Sequence, residues 1–266
     1  MTAHTPLQTL TVTRPDEHVA IVSLARPEVA NALNTRMGEE LTQVFTGFAT
    51  AVDGPRAIIL TGSGARHFCA GGDLKERNGM SDVDYFRQHA IFERMLLALL
   101  DCPVPVIAAV NGVAYAGGCE LVLACDFVYA SEGVRFALTE TSLGIMPGAG
   151  GTQNLARAIG MRRAKELILS ATPFSVEEAH AWGMVNRILP SASLLDESLA
   201  MAHRIASNAP LAVRQAKRAI DYGNRMDLRS ALFFEVDAYN RLVTTRDRQE
   251  GIAAFNEKRK PRFEGR

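Results

Sequence analysis

Asn111-Gly112-Val113-Ala114-Tyr115-Ala116-Gly117-Gly118-Cys119-Glu120 is the stretch on which the reading of this chain turns. It follows an apolar run at residues 106–110, the length of a buried strand, and passes through adjacent glycines into a helical pattern. A strand that breaks at glycines before a helix leaves backbone N–H groups bare, and such a helix start suits an anion. Glu120 falls in the first turn of that helix. A second carboxylate, Glu140, follows the apolar run Phe136, Ala137, Leu138 and precedes another glycine loop, residues 144–151, that again opens onto a helical pattern. Two carboxylates beside an anion hole point to acid–base work on a carbonyl compound.

Outward from this stretch, strand and helix signals alternate. Residues 7–13 and 19–24 read as a hairpin-like pair of strands around Pro15 and Asp16. A helix over 35–52 carries Met37, Leu41, Val44, Phe45 and Phe48 at helical spacing, with Gly54 and Pro55 as its stop. A short buried strand at 57–60 leads into Gly62-Ser63-Gly64, and that segment ends at Ala70-Gly71-Gly72-Asp73-Leu74. Ser81 with Asp84 starts a long helix that ends before Pro103 and Pro105. Short strands are expected at 127–130 and 134–137, then helices at 151–159, 162–169 and 175–182, the last with Ser175 and Glu178 as a capping box. From about residue 194 the strand signals vanish, and helices are expected at 210–222 and 227–243. The pattern predicts an α/β core domain over 1–195 and a helical region over 196–266.

At 266 residues the chain is long enough for one main domain with an addition. Hydrophobic residues at 47% and charged residues at 22% are the balance of a globular protein rather than a disordered one. Lys+Arg and Asp+Glu number 29 each, which removes the overall basic signal of most nucleic-acid binders. Lys258, Arg259, Lys260 and Arg262 form a local basic run. No nucleic-acid partner is therefore expected. Cys69, Cys102, Cys119 and Cys125 include no CxxC pair, so no disulfide is assigned. The N-terminus lacks the apolar stretch of a leader, and no run reaches the ~18 apolar residues of a membrane span. The expectation is a cytoplasmic protein without a membrane partner.

Several chemistries fail on spacing. The dinucleotide pattern GxGxxG, tried at Gly62 and at Gly148, meets His67 and Gln153 where its last glycine belongs, and no Walker lysine follows either loop. Cys119 as a nucleophile would need glycine two residues on, where Leu121 stands; a small buried cysteine is the plainer reading. The six histidines show no HExxH spacing and no Cys/His cluster exists, so no metal is expected. Each glutamate also has a plain reading. An acidic residue in a helix's first turn gains ~0.3 to 1 kcal/mol from the macrodipole, which would account for Glu120. Glu140 could simply cap a neighbouring helix.

The chain resembles the enoyl-CoA hydratase/isomerase superfamily, also called the crotonase family, over nearly its whole length. The likeness is carried by Arg26-Pro27 with Asn31-Ala32-Leu33-Asn34, by residues 68–74, 105–112 and 116–120, by Thr139-Glu140 with Leu143-Gly144, and by residues 147–153. It implies an α/β fold, a crotonase-like spiral of ββα units with a C-terminal helical trimerisation region, assembled as a homotrimer or dimer of trimers. It also implies an oxyanion hole from the backbone N–H groups of Gly72 and Gly117, and catalytic Glu120 and Glu140. Ala70, Asp73 and Leu74 would adjoin the substrate. Phe255 and Lys258, in the last helix, would lie near the CoA adenine and phosphate at a subunit boundary. The implied activity is addition of water to a 2-enoyl-CoA thioester, since members with other chemistries, such as dehalogenases and many isomerases, change or lose at least one of the two glutamates. No cofactor is implied beyond the substrate's own CoA.

Two departures stand out: Ala116, where many hydratases have a third glycine, and Asn154, where arginine is common. Asp73-Leu74-Lys75-Glu76-Arg77, residues 157–161 with 164–167, and the C-terminal residues 255–265 look similar to methylglutaconyl-CoA hydratases. That reaction and enoyl-CoA isomerisation are the alternatives. Some relatives of that branch bind RNA, for which the neutral charge balance gives no separate support.

Overall fold

The computed structural model describes residues 6–266; residues 1–5, on which part of the N-terminal reading rests, lie outside the described residues. The chain runs through β1 (Leu10–Thr13), β2 (Val19–Leu24), α1 (Thr35–Thr50), β3 (Ala57–Gly62), β4 (His67–Cys69), α2 (Leu74–Arg77), α3 (Asp82–Leu100), β5 (Val106–Val110) and β6 (Val113–Tyr115). It continues through α4 (Gly117–Ala124), β7 (Phe127–Ser131), β8 (Arg135–Ala137), α5 (Gly151–Ile159), α6 (Met161–Ser170), β9 (Phe174–Ser175), α7 (Val176–Ala181) and β10 (Arg187–Leu189). Then come α8 (Leu194–Ala206), α9 (Pro210–Gly223), α10 (Leu228–Asn240) and α11 (Arg246–Asn256).

The described strands form two sheets. The larger has the order β1-β2-β3-β5-β7-β10 and is parallel except for the β1–β2 hairpin. The smaller has the order β4-β6-β8-β9 and is parallel except at β9. Successive turns of the chain place one strand in each sheet and then a helix: β3, β4 and α3; β5, β6 and α4; β7, β8 and α5. The α/β spiral of ββα units is thus present. β5 is buried along its whole length, as expected for a parallel strand covered on both faces, and this is why it reads as an unbroken apolar run. β4, β6, β9 and β10 escape sequence reading because two or three residues carry no period.

The first core packs Leu24, Phe45, Leu60, Phe68, Met95 and Phe136 between the sheets and α1, α3 and α4. A second covers the other face of the larger sheet, where Leu194, Ala202 and Ala206 of α8 meet Val19, Ile59 and Ile107. So α8 belongs with the core, although it lies in the region expected from residue 194 onward to be a helical appendage. By contrast, α9 and α10 pack mainly on each other, and α10 leaves Leu228, Leu232, Phe233, Val236 and Tyr239 exposed. One expectation needs correction: Lys258 is not in the last helix. α11 ends at Asn256, and Lys258 takes a left-handed φ of 53° while Arg259 N–H donates to Ala254 O and Lys258 N–H to Phe255 O. That is a Schellman reversal, which satisfies the helix's last carbonyls and turns the chain away.

The segment before α1 braces the turn that follows β4. Ala70 N–H donates to Ala30 O, Leu33 N–H to Gly71 O and Asp73 N–H to Leu33 O. Asn31, fully buried at φ 53°, locks this brace. Its Nδ2 donates to Ser63 O (2.9 Å) and His67 O (3.0 Å), and its Oδ1 accepts from Arg26 N–H (2.9 Å). Asparagine also tolerates the left-handed conformation that alanine resists. Asn31→Ala should therefore destabilise the protein by roughly 1 to 3 kcal/mol or more, the cost of orphaning buried polar groups. A shift of the urea midpoint to lower concentration with an unchanged m-value is the expected result; an unchanged midpoint would contradict the brace.

Candidate active site

The turn from β6 into α4 sets the geometry. Ala116 N–H donates to Ala137 O (2.8 Å), and the chain then bends through φ 49°, ψ −123° at Ala116 to start the helix at Gly117. Gly118 must lack a side chain there, because a Cβ would lie 2.2 Å from Cys69 O. Close approach of the two turns brings Gly117 beside Gly72: a Cβ built on Gly117 would lie 3.9 Å from Gly72 N. Leu33 bridges Gly72 in parallel fashion by bonding Gly71 O and Asp73 N–H, so the N–H of Gly72 itself points the other way. Among the described residues neither Gly72 N–H nor Gly117 N–H has an acceptor. Two adjacent backbone donors are left bare at a helix N-terminus.

Glu120, one turn into α4, is 3% exposed. Its Oε1 accepts from Ala149 N–H (2.8 Å) and Gly151 N–H (2.9 Å), which ties the glycine loop before α5 to α4. The helix-capping role considered for Glu140 thus falls to Glu120. Burial raises the Glu120 carboxyl above the usual carboxylate range, although the two N–H groups pull the other way. Glu140 opens a 3-10 turn, Glu140–Leu143, and is 6% exposed with a buried Oε2 that has no hydrogen-bond partner. Burial, opposed by its own N–H and reinforced by the charge of Glu120, pushes its carboxyl up to about 7. Cys119, next to Glu120 in the chain, is fully buried, and burial followed by the two carboxylates holds its thiol far above the reactive range, as suits a packing residue.

Glu120, Glu140, Gly72, Gly117, Ala70 and Leu74 all line one cavity of about 520 Å³, a volume usual for a small-molecule site. The other expected residues lie elsewhere. Asp73 caps α2, accepting from Lys75 N–H (3.1 Å) and Glu76 N–H (3.3 Å), and pairs with Arg26 at 3.0 Å. Phe255 and Lys258 are exposed and outside the cavity. Arg77, noted above only as part of the run 73–77, lines it too, as do Tyr85 and His89, which the sequence reading did not single out. Tyr85, His89 and Phe92 recur at helical spacing along α3, and that stripe was the available signal. Among the described residues no group of three His, Cys, Asp or Glu side chains could hold a metal, and no helix is long and apolar enough to cross a membrane.

Ala116 carries the strain of the turn, because its φ and ψ lie in a region nearly reserved for glycine. Ala116→Gly should raise the unfolding free energy by about 1 kcal/mol, the low end of such strain. Denaturant titration checks this; a loss of stability would mean that packing of the methyl outweighs the strain.

The sequence pattern of the family described as enoyl-CoA hydratase/isomerase matches residues 14–266. A crystal structure of enoyl-CoA hydratase from Bacillus anthracis superposes with a TM-score of 0.95 at 44% identity, covering 97% of this chain and all of that one. The short-chain-enoyl-CoA hydratase of Clostridium acetobutylicum is 39% identical over 91% of this chain and 92% of its own. The crotonyl-CoA hydratase of Syntrophomonas wolfei is 37% identical over 93% and 95%. With two bare N–H groups and two buried carboxylates on one cavity, and with likeness over nearly its full length, the chain belongs to the enoyl-CoA hydratase/isomerase family.

Proposed function

We propose that the protein hydrates 2-enoyl-CoA thioesters to 3-hydroxyacyl-CoA. The observation that carries this reading is the pair of buried carboxylates held in unlike environments on one cavity. Burial raises both carboxyls, but two N–H groups favour the anion of Glu120 against it, whereas the neighbouring charge adds to the rise of Glu140. A base and an acid separated in this way suit addition of water. The thioester oxygen would take hydrogen bonds from Gly72 and Gly117, and these strengthen as the carbonyl becomes an enolate. Glu120 would draw a proton from water as its oxygen bonds to the β-carbon. Glu140 would deliver a proton to the α-carbon. The reaction balances as addition of H and OH across the double bond, and CoA enters only as part of the substrate.

Glu120→Gln and Glu140→Gln should each lower turnover at least ~100-fold with little change in CoA-ester binding, the low end of general acid–base contributions. The pH profile gives an independent check. Glu140 donates only while protonated, so kcat/KM of the wild type should fall as pH rises through about 7. Near-normal hydration by either folded variant, or a flat wild-type profile from pH 6 to 9, would remove that residue from the mechanism. Conversion of a 3-enoyl-CoA to the 2-enoyl isomer without hydration would favour the isomerase instead.

The exposed apolar face of α10 supports a contact between copies of the chain, since single surface helices rarely expose so much. Light scattering should give a multiple of the 28.9 kDa chain mass; a stable monomer would overturn the assembly.

A further inference from the structure

Helix α2 is a single turn that buries none of its four residues, yet it begins just after Gly72, whose bare N–H faces the cavity. One turn of helix does not hold itself, and here apolar packing does not hold it either. What holds it is polar. Gln88 of α3 is 3% exposed, and both polar atoms of its amide are bonded. Its Nε2 donates to Glu76 Oε2 (2.7 Å) and to Thr35 Oγ1 (2.9 Å), and its Oε1 accepts from Arg77 Nε (2.8 Å). A carboxylate only accepts and a guanidinium only donates, so the amide satisfies both neighbours in one orientation alone. Glu76 completes the clamp by accepting from Thr35 N–H (2.9 Å) at the start of α1.

The clamp reaches the cavity through Arg77. A Cβ on Gly72 would lie 3.0 Å from Arg77 Cζ, 3.1 Å from Nη1 and 3.3 Å from Nη2, so the guanidinium rests against the Gly72 backbone. At the start of α2, Asp73 is fixed separately by Leu33 and Arg26. Gln88 is thus the one buried side chain that ties both Glu76 and Arg77, the last two residues of α2, to α3. Resting on the hydratase reading of the same cavity, we propose that Gln88 is a positioning residue for the reaction. Through Glu76 and Arg77 it holds α2, and with it the Gly72 N–H, in register with the thioester oxygen. An oxyanion donor must be placed to within a fraction of an ångström to act fully, and a clamp of charge-assisted bonds supplies that rigidity where a single turn cannot.

Gln88→Met keeps the shape and removes all three bonds. It should lower kcat for crotonyl-CoA about 10- to 100-fold with KM little changed, the cost of a misplaced rather than an absent donor. Gln88→Glu sets a carboxylate against Glu76 and should do at least as much harm. The double variant Gln88→Glu with Glu76→Gln exchanges donor and acceptor across that bond and should regain most of the turnover. Isotope-edited infrared spectra of bound butyryl-CoA, which cannot react, report on the donors directly. The wild type should lower the carbonyl stretch relative to solution, and Gln88→Met should lose most of that lowering. A merely structural role would shift the urea midpoint and leave the kcat of the folded protein and the carbonyl stretch unchanged; that result would overturn the proposal. Failure of the double variant to recover, or a wild type that leaves the stretch at its solution value, would overturn it as well. A wild type that lowers the stretch through Gln88 but hydrates no crotonyl-CoA would contradict the hydratase reading and leave the role of Gln88 standing.

Discussion

The two hydrogen bonds that Ala149 and Gly151 donate to one oxygen of Glu120 are the constraint on which the site depends. A carboxylate buried to 3% exposure would ordinarily lose its proton reluctantly. Here it gains two N–H donors at the start of α5, and the same bonds fix the glycine loop that forms one wall of the cavity. Charge, loop conformation and cavity shape are thereby coupled. Gly151 belongs to that coupling because a Cβ there would lie 2.9 Å from Glu120 Oε1.

Glu140 shows the complementary design. It lacks such donors, has a buried oxygen with no partner, and sits near the charge of Glu120. Burial raises both carboxyls, and the two backbone donors at Glu120 oppose that rise there, so two groups of the same chemical type are held in unlike environments. The bare N–H groups of Gly72 and Gly117 arise in the same way. One is released because its strand neighbours satisfy Leu33, the other because a helix begins there.

The sequence disclosed the parts of this arrangement that have a period or a breaker. The strand at Val106–Val110, the glycine turn before Glu120 and the capped helices at Ser81 and Ser175 were legible from local pattern. The second strand was legible in only one unit, β8 at 134–137; β4 and β6 were not, because they contain three residues each and owe their conformation to each other. Nor could spacing distinguish Asp73, which caps α2 and pairs with Arg26, from a residue facing the substrate. Arg77 lay in plain view, but its placement depends on the missing side chain of Gly72 and on Gln88, eleven residues away. Such relations are tertiary. α8 fell in the stretch from residue 194 where strand signals vanish, but its place over the sheet follows from β2, β3, β5 and β7, which precede it by more than sixty residues.

The central claim is that this site adds water to a 2-enoyl-CoA. Incubation of the protein with crotonyl-CoA in ¹⁸O-labelled water, followed by mass spectrometry of the product, tests it most directly. The account predicts 3-hydroxybutyryl-CoA carrying the label at the C3 hydroxyl. Recovery of crotonyl-CoA unlabelled and unconverted, under conditions where the protein shifts the double bond of a 3-enoyl-CoA, would contradict it.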